Sequence, residues 1–458
     1  MLVATLLLAT FQICLPHQSW LNNQFEEYLL RTEPGCPVFP STKPLSIADI
    51  RRYLETSTGK EQTAFLLKER LDEYLRRYEG CGCELAFRSD STSRLFLSPR
   101  YGQRLGGSEV CVEATLKVGK SDEYPNRTWK DVASSDYTRA YLKTEVGRFS
   151  FLFGRESLKW GSSPASSLLL SGSGPPFDMV SARYLADRFQ VSSFFTVLDP
   201  LADTSRYLSG HRIEFRLLPA LSVGIGEVVL HGGYSALPDP YYLNPLVLFY
   251  PREWNKGRGI ANILWAIDFH YFANRWSGYG EFMLDDYPYE ISPMNEHPKL
   301  GWVLGFRMLD ILREGEYVVV EYAGVHRWSY GHTIPWQGYV NRGYPIGHDH
   351  GNDFDRLSVN VTEHLGRSLD IELSAHHTRK GEGEVDEPYP EEAFPEPYFL
   401  TGVVERRIGI GIGGRYMMGS LWTAEFGGEW EEISNYRNMQ GHSHSQPSIH
   451  LTLEMAFR

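Results

Sequence analysis

The final ten residues of the chain, Ile449 to Arg458, read I-H-L-T-L-E-M-A-F-R. Apolar side chains occupy every second position from Ile449 to Phe457, with mostly polar residues between them. Because neighbouring side chains of a β-strand point to opposite faces, the segment predicts a strand with one apolar face. Such a final strand closes a membrane β-barrel, since an open sheet edge in lipid leaves unpaired backbone groups that cost several kcal/mol each.

The same period of two recurs from about residue 83 to the end of the chain. Its clearest instances are residues 110–118, 212–217, 357–362, 369–376 and 422–431. A soluble β-sandwich shows this alternation too. A transmembrane barrel is favoured because no helical pattern interrupts it, because its polar face carries full charges, and because aromatic residues lie near predicted strand ends. The sequence therefore predicts an all-β transmembrane β-barrel of about 16–18 antiparallel strands with a small N-terminal α-helical segment.

The composition agrees with strands that are half lipid-facing and half polar. The mean hydropathy is -0.33, although 14% of the 458 residues are aromatic and 43 are glycine. The net charge of -12 argues against a nucleic-acid partner, because phosphates bind basic surfaces. After the N-terminus, no stretch approaches the ~20 apolar residues of a membrane-spanning helix.

The N-terminal region is predicted to differ from the barrel. Residues 1–15 are largely apolar, as in the core of a signal peptide, so residues 1–19 are a predicted signal peptide. Residues 20–82 contain amphipathic runs, the clearest over residues 65–78, and form a predicted periplasmic helical segment. Residues 83–458 form the predicted outer-membrane barrel with long extracellular loops.

Long polar connections separate some of the predicted strands. The clearest are residues 120–135, 236–256, 329–355 and 380–398. In bacterial barrels the long loops are extracellular and the short turns periplasmic, so these four segments are predicted to face the medium.

The sequence contains five cysteines and leaves open whether they form disulfides or remain thiols. Export makes disulfides possible, and a bond from Cys36 to Cys81 or Cys83 would tie the helical segment to the first strand. Free or variably paired thiols are an equal alternative. The Cys81-Gly82-Cys83 spacing is too weak to predict a metal site.

Two stretches of the barrel carry a family resemblance. The first contains Gly154-Arg155, Lys159-Trp160-Gly161, the Ser/Leu run 166–171 and Pro175-Pro176-Phe177. The second contains Leu243-Asn244-Pro245, the strand pair 260–272 and 279–286, and then Tyr344-Pro345-Ile346-Gly347-His348. In this order they resemble the capsule assembly family of outer-membrane proteins called Wzi, and the resemblance covers most of the chain.

The resemblance implies an eighteen-stranded barrel in the outer membrane of a Gram-negative-type bacterium, with a periplasmic helical bundle. It further implies a lectin-like, non-catalytic protein that assists assembly or surface attachment of capsular or extracellular polysaccharide. No cofactor is implied. The expected partners are the polysaccharide, outer-membrane lipid and periplasmic export machinery.

Candidate binding residues are those whose chemistry suits sugars: aromatic faces for stacking, and arginine or carboxylate groups for hydroxyls. Candidates in predicted loops are Tyr242, Trp254, Arg258, Trp336 and Arg342. Candidates near or in the lumen are Arg148, Arg155, Lys159, Trp160, Glu281 and Asp285. Alternatively, the aromatic residues form the interfacial girdle or pack the loops, and the charges form an ordinary wet ladder in the lumen.

The motifs give little support for a metal site or a catalytic site. His348-Asp349-His350 with Asp353 and Asp355, and separately His442 and His444, offer metal ligands. Two histidines alone do not make a site and loop histidines are usually solvated, so no metal is predicted. Gly172-Ser173-Gly174 lacks the spacing of a nucleophile elbow, so no catalytic residue is predicted.

Two functions remain after the motifs are weighed. The charged strand faces suit a porin-like channel for small solutes or sugars. A plain porin has no need of about 60 residues of amphipathic helix before its first strand. The helical segment therefore favours a closed surface-polysaccharide protein over an open channel.

Overall fold

The protein is described here by a computed structural model. The described residues are 20–32, 39–45, 47–57, 62–75, 80–90, 92–105, 108–120, 123–126, 129–130, 132–201, 203–256, 261–286, 298–388, 399–419 and 421–457. The predicted signal peptide, Cys14 and Cys36 lie outside them. The thiols of Cys81, Cys83 and Cys111 are free, so a bond involving Cys36 stays a prediction.

Eighteen antiparallel strands form a closed barrel. They are β1 Gly80–Ser89, β2 Ser93–Leu105, β3 Ser108–Val118, β4 Ala133–Val146, β5 Phe149–Glu156, β6 Phe177–Leu185, β7 Phe189–Leu201, β8 Thr204–Leu218, β9 Leu221–Tyr234, β10 Ala261–Ala273, β11 Trp276–Asp286, β12 Lys299–Leu309, β13 Glu316–Val325, β14 Phe354–Leu365, β15 Leu369–Lys380, β16 Glu405–Met418, β17 Trp422–Ser434 and β18 Ser443–Phe457. Each strand pairs with its neighbours in sequence. The predicted transmembrane β-barrel is thus confirmed, at the upper end of the predicted strand number.

The last strand closes the barrel on the first. Cys81 of β1 lies opposite Phe457 of β18, and Ser89 lies opposite Ile449. The backbone groups of both edge strands are therefore paired, as a barrel in lipid requires. The first barrel strand begins at Gly80, whereas the sequence analysis placed the boundary at residue 83.

The alternation of side chains separates a lipid-facing wall from a polar lumen. On β16, Ile408, Ile410 and Ile412 are exposed on the outer wall, while the intervening glycines face the lumen. On β8 the lumen face carries Arg212 and Glu214, which are both buried. Charges on the inner face and branched apolar residues on the outer face are the pattern expected of a membrane barrel.

The two ends of the barrel differ. All connections longer than ten residues leave from one end, which we call the long-loop end: residues 119–132, 157–176, 235–260, 287–298, 326–353 and 381–404. The N-terminal helices lie at the opposite, short-turn end, where Arg31 of the first helix binds Asp310 at 3.0 Å. Arg70 of the third helix there donates to the Arg367 carbonyl at 3.0 Å.

Within the residues that the structure describes, three helices precede the barrel: α1 Trp20–Arg31, α2 Ile47–Thr56 and α3 Gln62–Leu75. Burial covers one face of α2, with Ile47, Ile50 and Leu54, and nearly the whole surface of α1, with Leu21 and Phe25. This burial packs the helices on one another and on the barrel end. Across the described part of the chain, the helices are too short or too polar to cross a membrane.

Candidate functional site

Two segments of the chain meet inside the barrel. Residues 39–45, between α1 and α2, enter from the short-turn end, and residues 157–176, between β5 and β6, enter from the long-loop end. Thr42 pairs with Trp160 and Lys43 with Lys159 in a two-residue antiparallel ladder. The Gly161 amide also donates to the Ser41 carbonyl at 2.8 Å. We call these two segments together the lumen plug.

Glu281 of β11 holds the longer segment of the lumen plug. Its two carboxylate oxygens accept the backbone amides of Ser163 and Leu168, each at 2.9 Å. The Ser163 hydroxyl donates to Glu321 of β13 at 2.7 Å. Backbone amides inside a barrel need partners, and a charged acceptor forms stronger hydrogen bonds than a neutral one. Glu281 is thus a structural residue, buried beneath the plug.

Arg307 of β12 joins the helices, the plug and the wall. Its guanidinium lies 2.7 Å from Glu26 of α1, 2.8 Å from the His270 ring and 3.0 Å from the Ser162 carbonyl. It also stacks over the Tyr279 ring at 4.4 Å. The side chain is fully buried, so each of these contacts replaces water that the guanidinium has lost.

Glu26 is the carboxylate partner in this network. Burial raises its pKa, but Arg307 and Lys43 outweigh burial and hold the pKa at about 2. Lys43 donates to the second carboxylate oxygen at 2.9 Å. Because the two cations come from the barrel wall and the plug, the ionised form of Glu26 binds α1 to both.

Docking of α1 is expected to weaken in acid. The pKa of Glu26 falls from 4.5 to about 2 on folding, so its contribution is present above pH 4.5 and is lost as the pH drops toward 2. That contribution is roughly 3 kcal/mol. Pepsin cleavage of α1, compared between the protein and Glu26→Gln, should differ most near pH 4.5 and least near pH 2. A difference that stays constant across this window would contradict the assignment.

Lys159 and Trp160 lie inside the lumen plug. Burial and the nearby Lys43 lower the pKa of Lys159 to about 8. Its ammonium donates to the carbonyls of Pro164 and Ala165, at 3.1 and 3.2 Å. Trp160 packs edge-on against Phe194. Both side chains are buried and inaccessible to a polymer outside the barrel.

The plug leaves one side of the lumen accessible. Its contacts with the wall include Phe194 of β7 and extend to Glu321 of β13, whereas Glu372 of β15 and His450 of β18 remain exposed on the lumen face. Glycines on the lumen face of β16, such as Gly409, Gly411 and Gly413, add no side-chain volume there. Water therefore enters the lumen beside β15 to β18.

A polar cluster lies at the rim of the long-loop end. This rim cluster consists of Tyr124, Asp136, Arg155, Asp178, Asp199 and Arg342. Arg155 binds Asp136 at 2.6 Å and Asp178 at 2.8 Å. Arg342 binds Asp136 and Asp199, each at 3.1 Å. The Tyr124 hydroxyl donates to Asp136, and burial raises its pKa, so the hydroxyl keeps its proton.

Turn geometry carries Arg342 over the rim. Val340–Asn341 and Tyr344–Pro345 form a short hairpin, and Arg342 and Gly343 between them both have positive φ, 53° and 83°. Two consecutive positive φ values are typical of the tight two-residue turns of hairpins, where glycine is favoured. The hairpin tip thereby reaches the carboxylates at the ends of β4 and β7.

The rim cluster combines the groups that sugar binding uses. Asp178 is exposed, and Arg342 and Asp199 are partly exposed, so their remaining hydrogen-bonding capacity faces solvent. Tyr124 stands edge-on to Tyr344 at 6.5 Å, which places aromatic rings beside the charges. Guanidinium and carboxylate groups bind hydroxyls, and ring faces pack against sugar rings.

The sequence-predicted candidates fall in separate places. The structure brings Arg155 and Arg342 together through Asp136. Arg148 lies at the short-turn end, 3.2 Å from Asp187. Asp285 accepts the Tyr330 amide at 2.6 Å. Trp336 is partly buried against the core, and Tyr242 is buried on the outer wall. The side chain of Trp254 and the whole of Arg258 lie outside the described part of the chain.

Four members of the rim cluster were not predicted from the sequence: Tyr124, Asp136, Asp178 and Asp199. Each of the three aspartates lies near a strand end, and each binds an arginine from elsewhere in the chain. For Arg155 alone, the sequence carried a local signal of its position. Phe149, Phe151, Phe153 and Arg155 occupy alternate positions of β5 and so share one face of the strand. The three phenylalanine rings are exposed on the outer wall, so Arg155 lies on that wall rather than in the lumen.

Two histidine clusters have spacing compatible with a cation. Ligand atoms of His348, Asp349 and His350 lie within 4.8 Å of one another, as do those of His376, Glu429 and Glu431. Both imidazoles of the first cluster already bind one Asp349 oxygen at 2.9 Å. These ion pairs explain both clusters without a metal.

The sequence pattern of the family described as capsule assembly protein Wzi matches residues 101–446. The Escherichia coli protein Wzi, described as an outer membrane protein involved in group 1 capsule assembly and a carbohydrate-binding β-barrel, superposes with a TM-score of 0.74. The identity is 14%, over 98% of this chain and 100% of that one. The OccD3 (OpdP) barrel of Pseudomonas aeruginosa has a TM-score of 0.49 at 9% identity, over 82% of this chain and 91% of that one. Among curated proteins there is no match.

The fold and its interior define an outer-membrane β-barrel whose own chain fills much of the lumen. Eighteen strands closed into a barrel and a helical N-terminal segment set this class. Because the family pattern covers most of the sequence, the chain belongs to the capsule assembly protein Wzi family. The resemblance identified from the sequence is confirmed.

Proposed function

We propose that this protein binds capsular or extracellular polysaccharide at the long-loop end and helps to assemble or retain it at the cell surface. It acts as a lectin and catalyses no reaction. The observation that carries the proposal is the rim cluster, in which Arg155 and Arg342 share Asp136 beside two aromatic rings. Membership of the Wzi family supports the same role.

In this proposal the long-loop end faces the medium and the helices face the periplasm. Long loops on the extracellular side and short turns on the periplasmic side are the rule for bacterial barrels. The helical segment offers a surface to periplasmic export machinery, since Phe65 of α3 is 53% exposed. An exposed aromatic ring on a helix surface suits a protein contact.

A porin-like channel is the second candidate. The exposed lumen-facing Glu372 and His450 favour it, because they leave a water-accessible path beside the plug. The lumen plug and the helices at the short-turn end count against it. Planar-bilayer conductance separates the two candidates: a steady single-channel current in the unmodified protein supports the channel, and a silent bilayer supports the binding protein.

Arg342→Ala is expected to weaken polysaccharide binding roughly tenfold or more, since a hydrogen bond to a charged group contributes about 1.5–3 kcal/mol. Binding is measured by surface plasmon resonance with polysaccharide purified from the producing cells. Arg148→Ala is the matched control, because Arg148 also pairs with an aspartate but lies at the short-turn end. It should leave the affinity unchanged.

Equal losses in both variants would contradict placement of the site at the rim. In cells, deletion of the gene should reduce the capsule retained at the surface, and the Arg342→Ala gene should reproduce part of that loss. Unchanged retention after deletion would count against the whole proposal.

A further inference from the structure

One long loop lies on the outside of the barrel instead of above it. On β9, Gly224 and Gly226 face the lumen, where a Cβ on Gly226 would come within 3.0 Å of Leu169 in the plug. The alternate residues, among them Ile225 and Glu227, therefore point to the outer wall. Glu227 is nevertheless buried, because residues 235–256 fold down over it. We call residues 235–256 the wall loop.

Glu227 pins the wall loop to the barrel. Its carboxylate accepts the backbone amides of Phe249 at 2.8 Å and Tyr250 at 3.3 Å, and the indole NH of Trp265 at 2.6 Å. The His211 ring lies 3.1 Å from the same carboxylate. A carboxylate on a lipid-facing wall is unfavourable unless it is paired, and the three donors together with the adjacent His211 ring supply the pairing.

The wall loop exposes several large apolar side chains. Leu246 is 88% exposed and Leu237 is 85% exposed, and Leu243 and Leu248 are exposed as well. The loop is fixed by polar contacts that face the barrel and its own chain, including the ion pair of Arg252 with Asp239 at 2.9 Å. Four leucines turned away from those contacts indicate that the loop lies in the lipid beside the wall.

A crevice of about 610 Å³ separates the wall loop from the barrel. Residues 245–248 form one side of it. The other side consists of outward residues of β8 to β11, chiefly Ile213, Ile225, Trp265, Ile267, Phe282 and Leu284. The polar residues on this outward lining are His211 and Glu227, which bind each other. The crevice is therefore apolar and continuous with the lipid-facing wall.

We propose that this crevice binds one acyl chain of a membrane lipid. The lipid-facing wall supplies the ligand, since whatever fills a crevice that opens into the hydrocarbon region is itself hydrocarbon. Transfer from lipid to an apolar crevice brings no hydrophobic gain, so binding rests on closer packing along two walls instead of one. The wall loop thus serves as a lipid clamp, separate from the polysaccharide site at the rim.

Photoactivatable phosphatidylethanolamine, with a diazirine in one acyl chain, tests the clamp in nanodiscs. Cross-links should be about threefold denser on residues 245–248 than on the outward face of β12, because two walls hold the chain there. Ile225→Trp, which fills the crevice, should remove that excess. Leu304→Trp is the matched control on the open wall, since Leu304 is 53% exposed and Ile225 is 50% exposed.

Even labelling of residues 245–248 and β12 in the unmodified protein would overturn the proposal, and so would an excess that survives in Ile225→Trp. The labelling pattern of the unmodified protein decides the matter even where Ile225→Trp fails to fold. Polysaccharide binding is measured on the same samples. It should be unaffected by Ile225→Trp, so failure of the clamp and failure of the rim site are distinguishable.

Discussion

Arg307→Met is expected to release both α1 and the lumen plug from the barrel wall. The substitution leaves the Glu26 carboxylate buried with only Lys43 beside it, and removes the donor to the Ser162 carbonyl. Removing one partner of a buried ion pair costs about 3–5 kcal/mol, because the remaining charge stays desolvated. That loss is a large fraction of the stability of a typical protein, so it can shift the plug from the wall-bound state to the released state.

Two measurements follow Arg307→Met. Amide hydrogen exchange should become faster in peptides of α1 and of residues 157–176 together, while the barrel strands stay protected. Planar-bilayer conductance should rise as the lumen opens. Arg148→Met is the control, because Arg148 pairs with Asp187 and both side chains are exposed, at 55% and 87%. An exposed pair contributes at most about 1 kcal/mol. Unchanged exchange in Arg307→Met would show that Arg307 does not hold the plug.

Glu281→Ala is expected to free residues 157–176 of the plug while α1 stays docked. The carboxyl group accepts the amides of Ser163 and Leu168, and a buried donor that loses its acceptor costs about 1–3 kcal/mol. Alanine leaves both amides buried without their acceptor. The contacts of α1 with Arg307, Lys43 and Asp310 do not involve Glu281 and should persist.

The same amide hydrogen-exchange experiment distinguishes the two variants. In Glu281→Ala, faster exchange should be confined to residues 157–176, whereas Arg307→Met should affect α1 as well. Glu363→Ala is a suitable control, since Glu363 lies at the short-turn end of β14, away from the plug. Faster exchange of α1 in Glu281→Ala would contradict the separate anchoring of the two elements.

Much of the fold was predictable because strand alternation is a local property. The segment from Ile449 to Phe457 places one apolar and one polar face on a strand whatever its partners are. Charges such as Arg212 and Glu214 on the polar face then indicated a lumen. The structure confirms the barrel and adds an exact count of eighteen strands, which depends on the pairing of short segments such as β5 and β6.

The candidate site was less predictable. Arg155 and Arg342 were selected for their chemistry, but the carboxylates that bring them together come from the ends of β4, β6 and β7. Lys159 and Glu281 were selected too, and the structure gives both a place in or beside the plug. Side-chain type alone does not separate a solvent-facing arginine from a buried lysine, since that depends on what packs over each.

The sequence by itself determined that this chain forms a membrane barrel preceded by an N-terminal helical segment, and that it resembles the Wzi family. These features follow from periodicity and motif order, which are set by residues close together in the chain. Only the tertiary structure decided that the lumen plug fills the lumen from both ends and that the wall loop packs against the outer wall. Glu26 meets Arg307, and Glu227 meets Phe249, only after the barrel has closed and the connections have folded back. Contacts of that kind depend on three-dimensional proximity, so no local pattern in the sequence records them.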